Sequence, residues 1–411
     1  MKKHTTPITQ AEELLQLVDQ LKAHKRIAFD TEFIRESTFF PTLELIQVAT
    51  RDESWIVDVQ AFKVSGKKRT PEYDEEALRP LLSIFQDPSI EKVAHAVQAD
   101  QECLYSAFGI VASPIFDTAA AASLCGYGDT IGLAPLMKSV LDVRLKKGHA
   151  RTNWSKRPIV EDLIEYALSD VTDLISLADR LTEKLEKLNR VQWAQEISEI
   201  YSRISMYEDK TDEMAYKLLR SGRVDSKGHG VLYELVHWRE KEIRRLNIPR
   251  RWLADDSVLM DLASVRPKEA EKLKRFRGLK RIDFKKHAPE ILDAIQRGMT
   301  EKNFEIPEIK KQKPPSGEES AVIDLLKCFL NHMGEKHALT PRHLVKASDS
   351  IHLIRNPELT VEDWVSKGWM SQGAADLVGR DLLNLLHGHS ALVVDLEQRK
   401  ISLIDRTRDD A

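Results

Sequence analysis

The chain has 411 residues, 42% apolar and 31% charged, a balance typical of a water-soluble globular protein with more than one domain. No apolar run reaches the roughly 18–20 residues of a membrane span, and the three cysteines show no CxxC spacing, which argues against zinc. Net charge is −3, yet residues 235–287 hold 16 Lys/Arg and 8 Asp/Glu, which predicts a basic module on an acidic body.

The first half of the chain predicts an α/β domain. Strand patterns are short runs rich in β-branched residues or with alternating polarity, and they occur at 26–33, 43–49, 54–59, 91–96 and just before Phe116. Helical patterns occur from Thr9, where Thr-Gln-Ala-Glu resembles a capping box, at 78–85, at 100–107 and from 117 to about 204. A polar loop insertion is predicted at 63–77. The order of elements indicates a mixed sheet flanked by helices.

The second half predicts helical units. One begins near residue 212, with eight core candidates: Leu232, Leu235, Val236, Trp238, Leu259, Leu262, Leu273 and Leu279. The Pro- and Lys-rich segment 304–319 lacks periodicity and indicates a linker. Another helical unit follows, and the alternation around 397–399 predicts a small β-hairpin.

Cysteine usage and the first residues indicate where the protein works. Cys103, Cys125 and Cys328 are expected to be buried thiols of a reducing compartment. The opening MKKHTTPITQ leads into a polar helix without an apolar h-region, so no export signal is expected. A cytoplasmic location is therefore predicted.

The first strand, RIAFDTEF, sends two carboxylates to one face, because residues i and i+2 of a strand share a face. These are Asp30 and Glu32, with Thr31 on the other face. Asp-x-Glu alone is usually a solvated strand end. Here the neighbours are apolar, and carboxylates in such a setting are costly unless they are paired or bound to metal.

Two more segments supply acidic residues. Asp100 in HAVQADQECLY follows a buried strand, where an acidic residue can equally well cap the next helix. Tyr166 and Asp170 in EYALSDV lie one helical turn apart, a pairing that alone is more typical of a surface contact. Together the three segments predict a site for two divalent cations, Mg²⁺ or Mn²⁺, which prefer oxygen ligands.

These segments resemble the exonuclease motifs of the ribonuclease D family. DTEFIRESTFFPTLELIQVAT is similar to the first motif, HAVQADQECLY to the second, and YALSD to the third in its Y-x-x-x-D form. VLYELVHWREKEIRRLNIPRRWLADDSVLMDLA resembles the helicase-and-RNase-D C-terminal (HRDC) domain, and SKGWMSQGAADLVGRDLLNLLHG resembles a divergent second copy. The resemblance implies a ribonuclease-H-like α/β exonuclease domain of the DEDDy group, followed by two all-α HRDC-like domains.

The resemblance also implies the domain boundaries. They are residues 1–205 for the exonuclease domain, 212–298 for the first HRDC domain, 299–318 for a linker, 319–390 for the second HRDC-like domain and 391–411 for a C-terminal hairpin or tail.

The family pattern assigns roles to five residues. Asp30, Glu32, Asp100 and Asp170 would hold two metal ions, and Tyr166 would orient the attacking water. These five are the expected catalytic residues.

Substrate contacts are expected at further positions. Phe33 and Phe40 would line the pocket for the 3′-terminal nucleotide. Arg151, Trp154 and Arg157 are expected to contact phosphates or bases, although Trp154 is equally compatible with a core position.

The predicted activity is that of a 3′→5′ exoribonuclease that trims stable RNA precursors, tRNA above all, and releases nucleoside 5′-monophosphates. The expected partner is RNA with a free 3′ end, no membrane is involved, and the protein is expected to be a monomer. Two alternatives remain open. A DNA-repair exonuclease is disfavoured by the absence of a G-x-x-x-x-G-K-[ST] helicase motif. A non-catalytic RNA-binding protein is disfavoured because all five motif residues are present.

Overall fold

The structure is a computed structural model that describes residues 1–64, 71–146, 152–279, 282–300 and 313–406. Within these ranges, six strands of the N-terminal half form one mixed sheet in the order β1-β4-β3-β2-β5-β6. The strands are β1 Lys2–Lys3, β2 Arg26–Ile34, β3 Thr42–Ala49, β4 Glu53–Asp58, β5 Glu91–Ala94 and β6 Ile115–Asp117. The predicted strands are confirmed, with ends shifted by one or two residues.

Helices cover both faces of this sheet. They are α1 Ala11–Lys22, α2 Glu75–Gln86, α3 Gln98–Phe108, α4 Thr118–Leu124, α5 Leu133–Leu141, α6 Glu161–Thr172, α7 Leu174–Lys187 and α8 Val191–Ile200. The predicted α/β class is therefore confirmed. The predicted insertion at 63–77 is shorter than expected because α2 already begins at Glu75, and its 65–70 portion lies outside the described residues.

The start of α1 differs from the prediction. The helix begins at Ala11 with Gln10 as N-cap, and the Gln10 side chain makes no capping hydrogen bond. The backbone N–H of Thr9 donates to Glu13 Oε2 at 3.2 Å, so the reciprocal contact expected between Thr9 and Glu12 does not form. The apolar face of α1 is buried as predicted.

Strand β2 lies at the centre of the sheet and positions the site. It pairs antiparallel with β3 and parallel with β5. The antiparallel register shifts between Glu32 and Phe33, a bulge that turns the strand end away from its neighbour. Ile27 and Phe29 pack into the core on one face, and Ala28 packs into the core on the other. Asp30 and Glu32 continue the face of Ala28.

The second unit is helical and has its own core. Its helices are α9 Thr211–Arg220, α10 His229–Leu246, α11 Arg250–Leu253, α12 Asp256–Val265, α13 Ala270–Leu273 and α14 Phe284–Thr300. All eight predicted core residues belong to one buried cluster, which confirms this part of the prediction.

The third unit is helical and ends in a hairpin. Its elements are α15 Gly317–His337, α16 Pro341–Leu344, α17 Ser350–Arg355, α18 Val361–Ser366, α19 Gln372–Ala374, a π-helical turn Ala375–Gly379, α20 Arg380–Leu386, β7 Ser390–Asp395 and β8 Lys400–Asp405. The hairpin around 397–399 is confirmed. Residues 301–312 of the predicted linker and 407–411 of the predicted tail lie outside the described residues.

The third unit packs directly on the exonuclease half. Its buried residues share one apolar cluster with α4, α5, α7 and α8. Asp129 forms an ion pair with Arg342, and the Arg190 guanidinium donates to the carbonyl of His337 at 2.9 Å. This shared core was not predicted, because the sequence suggested a self-contained unit.

Among the described residues no helix combines the length and hydropathy needed to cross a membrane.

The three cysteines differ in their burial. Cys103 and Cys125 are buried free thiols as predicted, whereas Cys328 is exposed, because it lies on the solvent side of α15. The expectation of three buried thiols is wrong for this residue.

Candidate active site

Strand β2 and helix α6 bring three of the predicted carboxylates together. Oxygen atoms of Asp30, Glu32 and Asp170 all lie within 4.8 Å of one another, and the three residues are half-buried. Two of them leave the same face of β2, and the third comes from a helix 138 residues further along the chain. Such a spacing suits a shared cation, because one ion can contact an oxygen of each residue.

The apolar face of α6 explains why Asp170 reaches this place. Ile164, Ala167, Leu168 and Val171 are buried, and the helix packs across β2, β3 and β4. Tyr166 and Asp170, one turn apart, are half-buried at the edge of this contact. The predicted surface alternative for this pair does not apply.

Asp100 lies behind the three-carboxylate group. It is 6% exposed, and its Oδ1 accepts hydrogen bonds from the backbone N–H of Thr31 at 3.1 Å and from the Thr31 hydroxyl at 2.5 Å. The N-cap of α3 is Val97, so Asp100 does not cap this helix. Its negative charge still acts on Asp30, whose pKa it helps to raise. Local sequence predicts that Thr31 is buried on the face opposite Asp30, but it contains no signal for the contact with Asp100.

The electrostatics of the four carboxylates favour a cation. Burial, together with Asp170 and Asp100, raises the pKa of Glu32 to about 9. Burial raises the pKa values of Asp100 and Asp170 to about 7, and the pKa of Asp30 lies well above its usual range. Four clustered carboxyl groups resist ionising together unless positive charge compensates them. The donor set therefore fits divalent cations, whose preferred ligands are carboxylate oxygens.

Tyr166 remains protonated at neutral pH. Burial and the nearby carboxylates of Asp170, Glu32 and Asp30 raise its pKa to about 12. Its ring stacks on the Trp154 indole, with centroids 6.3 Å apart and planes 30° apart. The hydroxyl is thus suited to donate a hydrogen bond, and the ring is held by packing.

Two of the three residues before α6 that were expected to contact the substrate, Trp154 and Arg157, contact other parts of the protein instead. Trp154 is 3% exposed and belongs to the core beneath Tyr166, so the core alternative is the one observed. Arg157 donates to both carboxylate oxygens of Asp58, at 2.7 and 2.6 Å, and to the carbonyl of Trp154 at 2.6 Å. The expected phosphate contact of Arg157 is therefore wrong, since its guanidinium is engaged within the protein. Arg151 lies outside the described residues.

The aromatic residues after the first motif are half-buried. Phe33 packs at the margin of the sheet core, and Phe40 lies edge-on to Phe39 with ring centroids 4.8 Å apart. Phe39 in turn contacts the second helical unit. The nucleotide contacts predicted for Phe33 and Phe40 stay predictions.

The basic stretch is less cationic than its composition suggests. Eight of its side chains form ion pairs within the second unit or with its margins: Arg239, Arg244, Arg245, Arg250, Arg266, Lys272, Lys274 and Lys286. Several acidic partners, such as Asp209 and Asp225, precede residue 235, so a count over 235–287 overstates the local charge. Unpaired cations within the described part of this stretch include Lys241, Arg251, Lys268 and Lys285.

A second group of potential ligands has a different explanation. Glu242, His287 and Glu290 also lie close together. Glu242 accepts hydrogen bonds from Arg245, Lys286 and His287, and these donors hold its pKa at about 2. A carboxylate already neutralised by cationic side chains is a poor cation ligand, so this group is a structural ion-pair cluster.

Comparisons with known proteins agree with this geometry. Residues 5–186 match a family model described as 3′-5′ exonuclease, and residues 229–295 match the HRDC domain. Proteins named ribonuclease D from Nitrobacter hamburgensis and Granulibacter bethesdensis are 31% and 32% identical, over 97% and 96% of this chain and 99% and 96% of theirs. The crystal structure of Escherichia coli RNase D, an exoribonuclease involved in structured RNA processing, superposes with a TM-score of 0.74 at 23% identity, covering 93% of this chain and 99% of that one.

Proposed function

The chain belongs to the ribonuclease D family and is a 3′→5′ exoribonuclease that uses divalent metal, and from this premise we propose how its residues perform the reaction. In this proposal Asp30, Glu32, Asp100 and Asp170 hold two ions, Mg²⁺ or Mn²⁺, and Tyr166 completes the catalytic set. The observation that carries it is the convergence of Asp30, Glu32 and Asp170 on one point, with Asp100 beside them.

Each residue has a distinct task in the proposed mechanism. Bound ions would polarise the scissile phosphate and lower the pKa of a bound water. Because the Tyr166 hydroxyl keeps its proton at neutral pH, it donates a hydrogen bond that orients the attacking water and does not act as a base. Thr31 fixes the Asp100 carboxylate through two hydrogen bonds, and Trp154 fixes the Tyr166 ring.

We also propose that the substrate is RNA with a free 3′ end and that precursors of tRNA are included. Support comes from the family, whose solved E. coli member is described as acting on structured RNA. The terminal nucleotide would lie against Phe33 and Phe40, and the exposed cations of the first HRDC domain, Arg251 among them, would contact phosphates upstream. We further propose that the enzyme is a cytoplasmic monomer. Its proposed domains are the exonuclease domain 1–205, the first HRDC domain 212–298, a linker 299–318, the second HRDC-like domain 319–390 and a C-terminal hairpin or tail 391–411.

The experiment that tests the substrate is digestion of a 3′-extended tRNA beside a structured RNA control and matched single-stranded DNA. We expect nucleoside 5′-monophosphates as products and a pause at the mature tRNA 3′ end. Digestion that passes this end without a pause would reject the maturation role. Faster digestion of DNA than of RNA would favour the repair alternative.

Removing the tyrosine hydroxyl tests its orienting task. Tyr166→Phe keeps the ring that packs on Trp154, so we expect kcat to fall roughly a hundredfold with little change in KM. Tyr127→Phe is the matched control, because that hydroxyl makes no hydrogen bond among the described residues, and its activity should be unchanged. A Tyr166→Phe enzyme with wild-type kcat would contradict the assignment.

A further inference from the structure

The loop that follows the first motif leaves the exonuclease site and contacts the second helical unit. It comprises residues 35–41, between β2, which carries Asp30 and Glu32, and β3. At its start, Arg35 Nη1 donates to Glu102 at 2.7 Å, two residues beyond Asp100 on α3. The loop is therefore connected at this end to β2 and α3, two of the three elements that carry site carboxylates.

At its other end the loop is held by one side chain of the HRDC domain. The carboxamide oxygen of Asn247 accepts hydrogen bonds from the backbone N–H groups of Phe39, at 3.0 Å, and Phe40, at 2.9 Å. Asn247 directly follows α10, is 4% exposed, and has a left-handed backbone conformation with φ 48°. A single oxygen that accepts from two successive N–H groups fixes the orientation of that peptide segment.

The Phe39 ring adds a second contact across the same junction. The guanidinium groups of Arg244 and Arg250 each lie 5.1 Å from its centroid, and the ring packs at the edge of the HRDC core. Both arginines are oriented by Glu240, a 1% exposed carboxylate that Arg250 contacts at 2.9 Å and Arg244 at 3.6 Å. The buried carboxylate of Glu240 and the two arginines thus form a preorganised binding surface for the Phe39 ring of this loop.

We propose that the C-terminal end of α10 is a positioning element of the exonuclease site, with Asn247 as the positioning residue. This inference rests on the site proposed above. By fixing the peptide of Phe39 and Phe40, Asn247 sets the side of the 3′-nucleotide pocket that Phe40 provides. The HRDC domain then contributes to hydrolysis of every substrate, including those too short to touch its surface.

The length of the substrate distinguishes a domain that positions the site from a domain that only tethers RNA. A domain that only tethers RNA affects long substrates and leaves a dinucleotide unaffected, because a dinucleotide occupies only the two positions beside the scissile bond. A positioning domain affects both. The decisive substrate is therefore a 5′-labelled diribonucleotide, compared with a 20-nucleotide single strand.

The variant Asn247→Gly removes the acceptor and suits the left-handed backbone, because glycine is the preferred residue at this place after a helix. Asn247→Asp keeps an acceptor oxygen and tolerates the same backbone conformation. Asn189→Gly is the matched control, because Asn189 has φ 55° after α7 and its side chain has no partner among the described residues. Melting temperatures of all three verify folding.

For Asn247→Gly we expect KM for the dinucleotide to rise about tenfold, with kcat within about twofold, since two N–H groups lose their acceptor. Amide exchange in residues 35–42 should accelerate. Asn247→Asp should restore most of the wild-type KM, and Asn189→Gly should match wild type.

The proposal is overturned if Asn247→Gly raises KM only for the 20-nucleotide strand, which indicates tethering. It is equally overturned if kcat falls at unchanged KM, which indicates a smaller folded fraction. Wild-type cleavage of the dinucleotide by Asp30→Asn would instead reject the carboxylate site, whatever the behaviour of Asn247.

Discussion

Asp30→Asn should reduce RNA hydrolysis by at least about a thousandfold and leave the fold intact. Asp30 lies between the other carboxylates, since Asp100, Asp170 and Glu32 all act on its pKa. The amide keeps the size of the side chain but has one neutral oxygen in place of a carboxylate, so cation binding weakens where charge stabilisation is worth several kcal/mol. Single-turnover rates on a 3′-hydroxyl RNA with Mg²⁺ and with Mn²⁺ measure the loss.

Two comparisons make this result specific. Asp52→Asn changes an exposed carboxylate of the β3–β4 turn, and its rate should equal wild type. Asp170→Asn should match the loss of Asp30→Asn, because its carboxylate belongs to the same group. Trimming by Asp30→Asn with Mn²⁺ near the wild-type rate would contradict the metal assignment.

Metal-free enzyme should become less stable as the pH rises from about 4.5 to about 9. The folded state holds the pKa of Glu32 at about 9, above the usual value of about 4.5, so in this window it binds more protons than the unfolded state. The contribution of this group to the free energy of unfolding is fully present below the lower pKa and is lost as the pH passes the upper one. Asp100 and Asp170 add the same trend up to about pH 7.

Glu32→Gln removes this titrating group and its repulsion of Asp30. Without metal, the variant should melt near the wild-type temperature at pH 5 and on the order of a few °C higher at pH 9. Mn²⁺ should stabilise wild type more than the variant, and the difference should grow with pH. A variant that is less stable than wild type at pH 9 without metal would show that the carboxylates do not repel one another in the folded protein.

The alternation of residues along β2 predicted that Asp30 and Glu32 share one face, but this pattern is not specific to metal ligands. In the sequence, Asp30 and Glu32 are carboxylates within an otherwise apolar strand. Glu44 and Asp58 have the same setting and are 1% and 7% exposed, yet their partners are Gln60 and Arg157. What separates the two pairs is the nearest side chain in space, which local sequence does not contain.

The contacts between units were beyond prediction for the same reason. Asn247 has the pattern of a residue that ends a helix, and nothing near it indicates that its oxygen accepts from peptides 207 and 208 residues away. The burial of α15 and α20 against the exonuclease half likewise depends on a shared core. Apolar periodicity predicted that these helices have a buried face, and only the tertiary structure shows what covers it.

Anomalous diffraction from crystals of the enzyme grown with Mn²⁺ and a nucleoside 5′-monophosphate would locate the metal ions directly. We predict two manganese peaks, held by the carboxylates of Asp30, Glu32, Asp100 and Asp170. Crystals of active enzyme with no manganese at these four carboxylates would contradict the assignment of Asp30, Glu32, Asp100 and Asp170 as metal ligands.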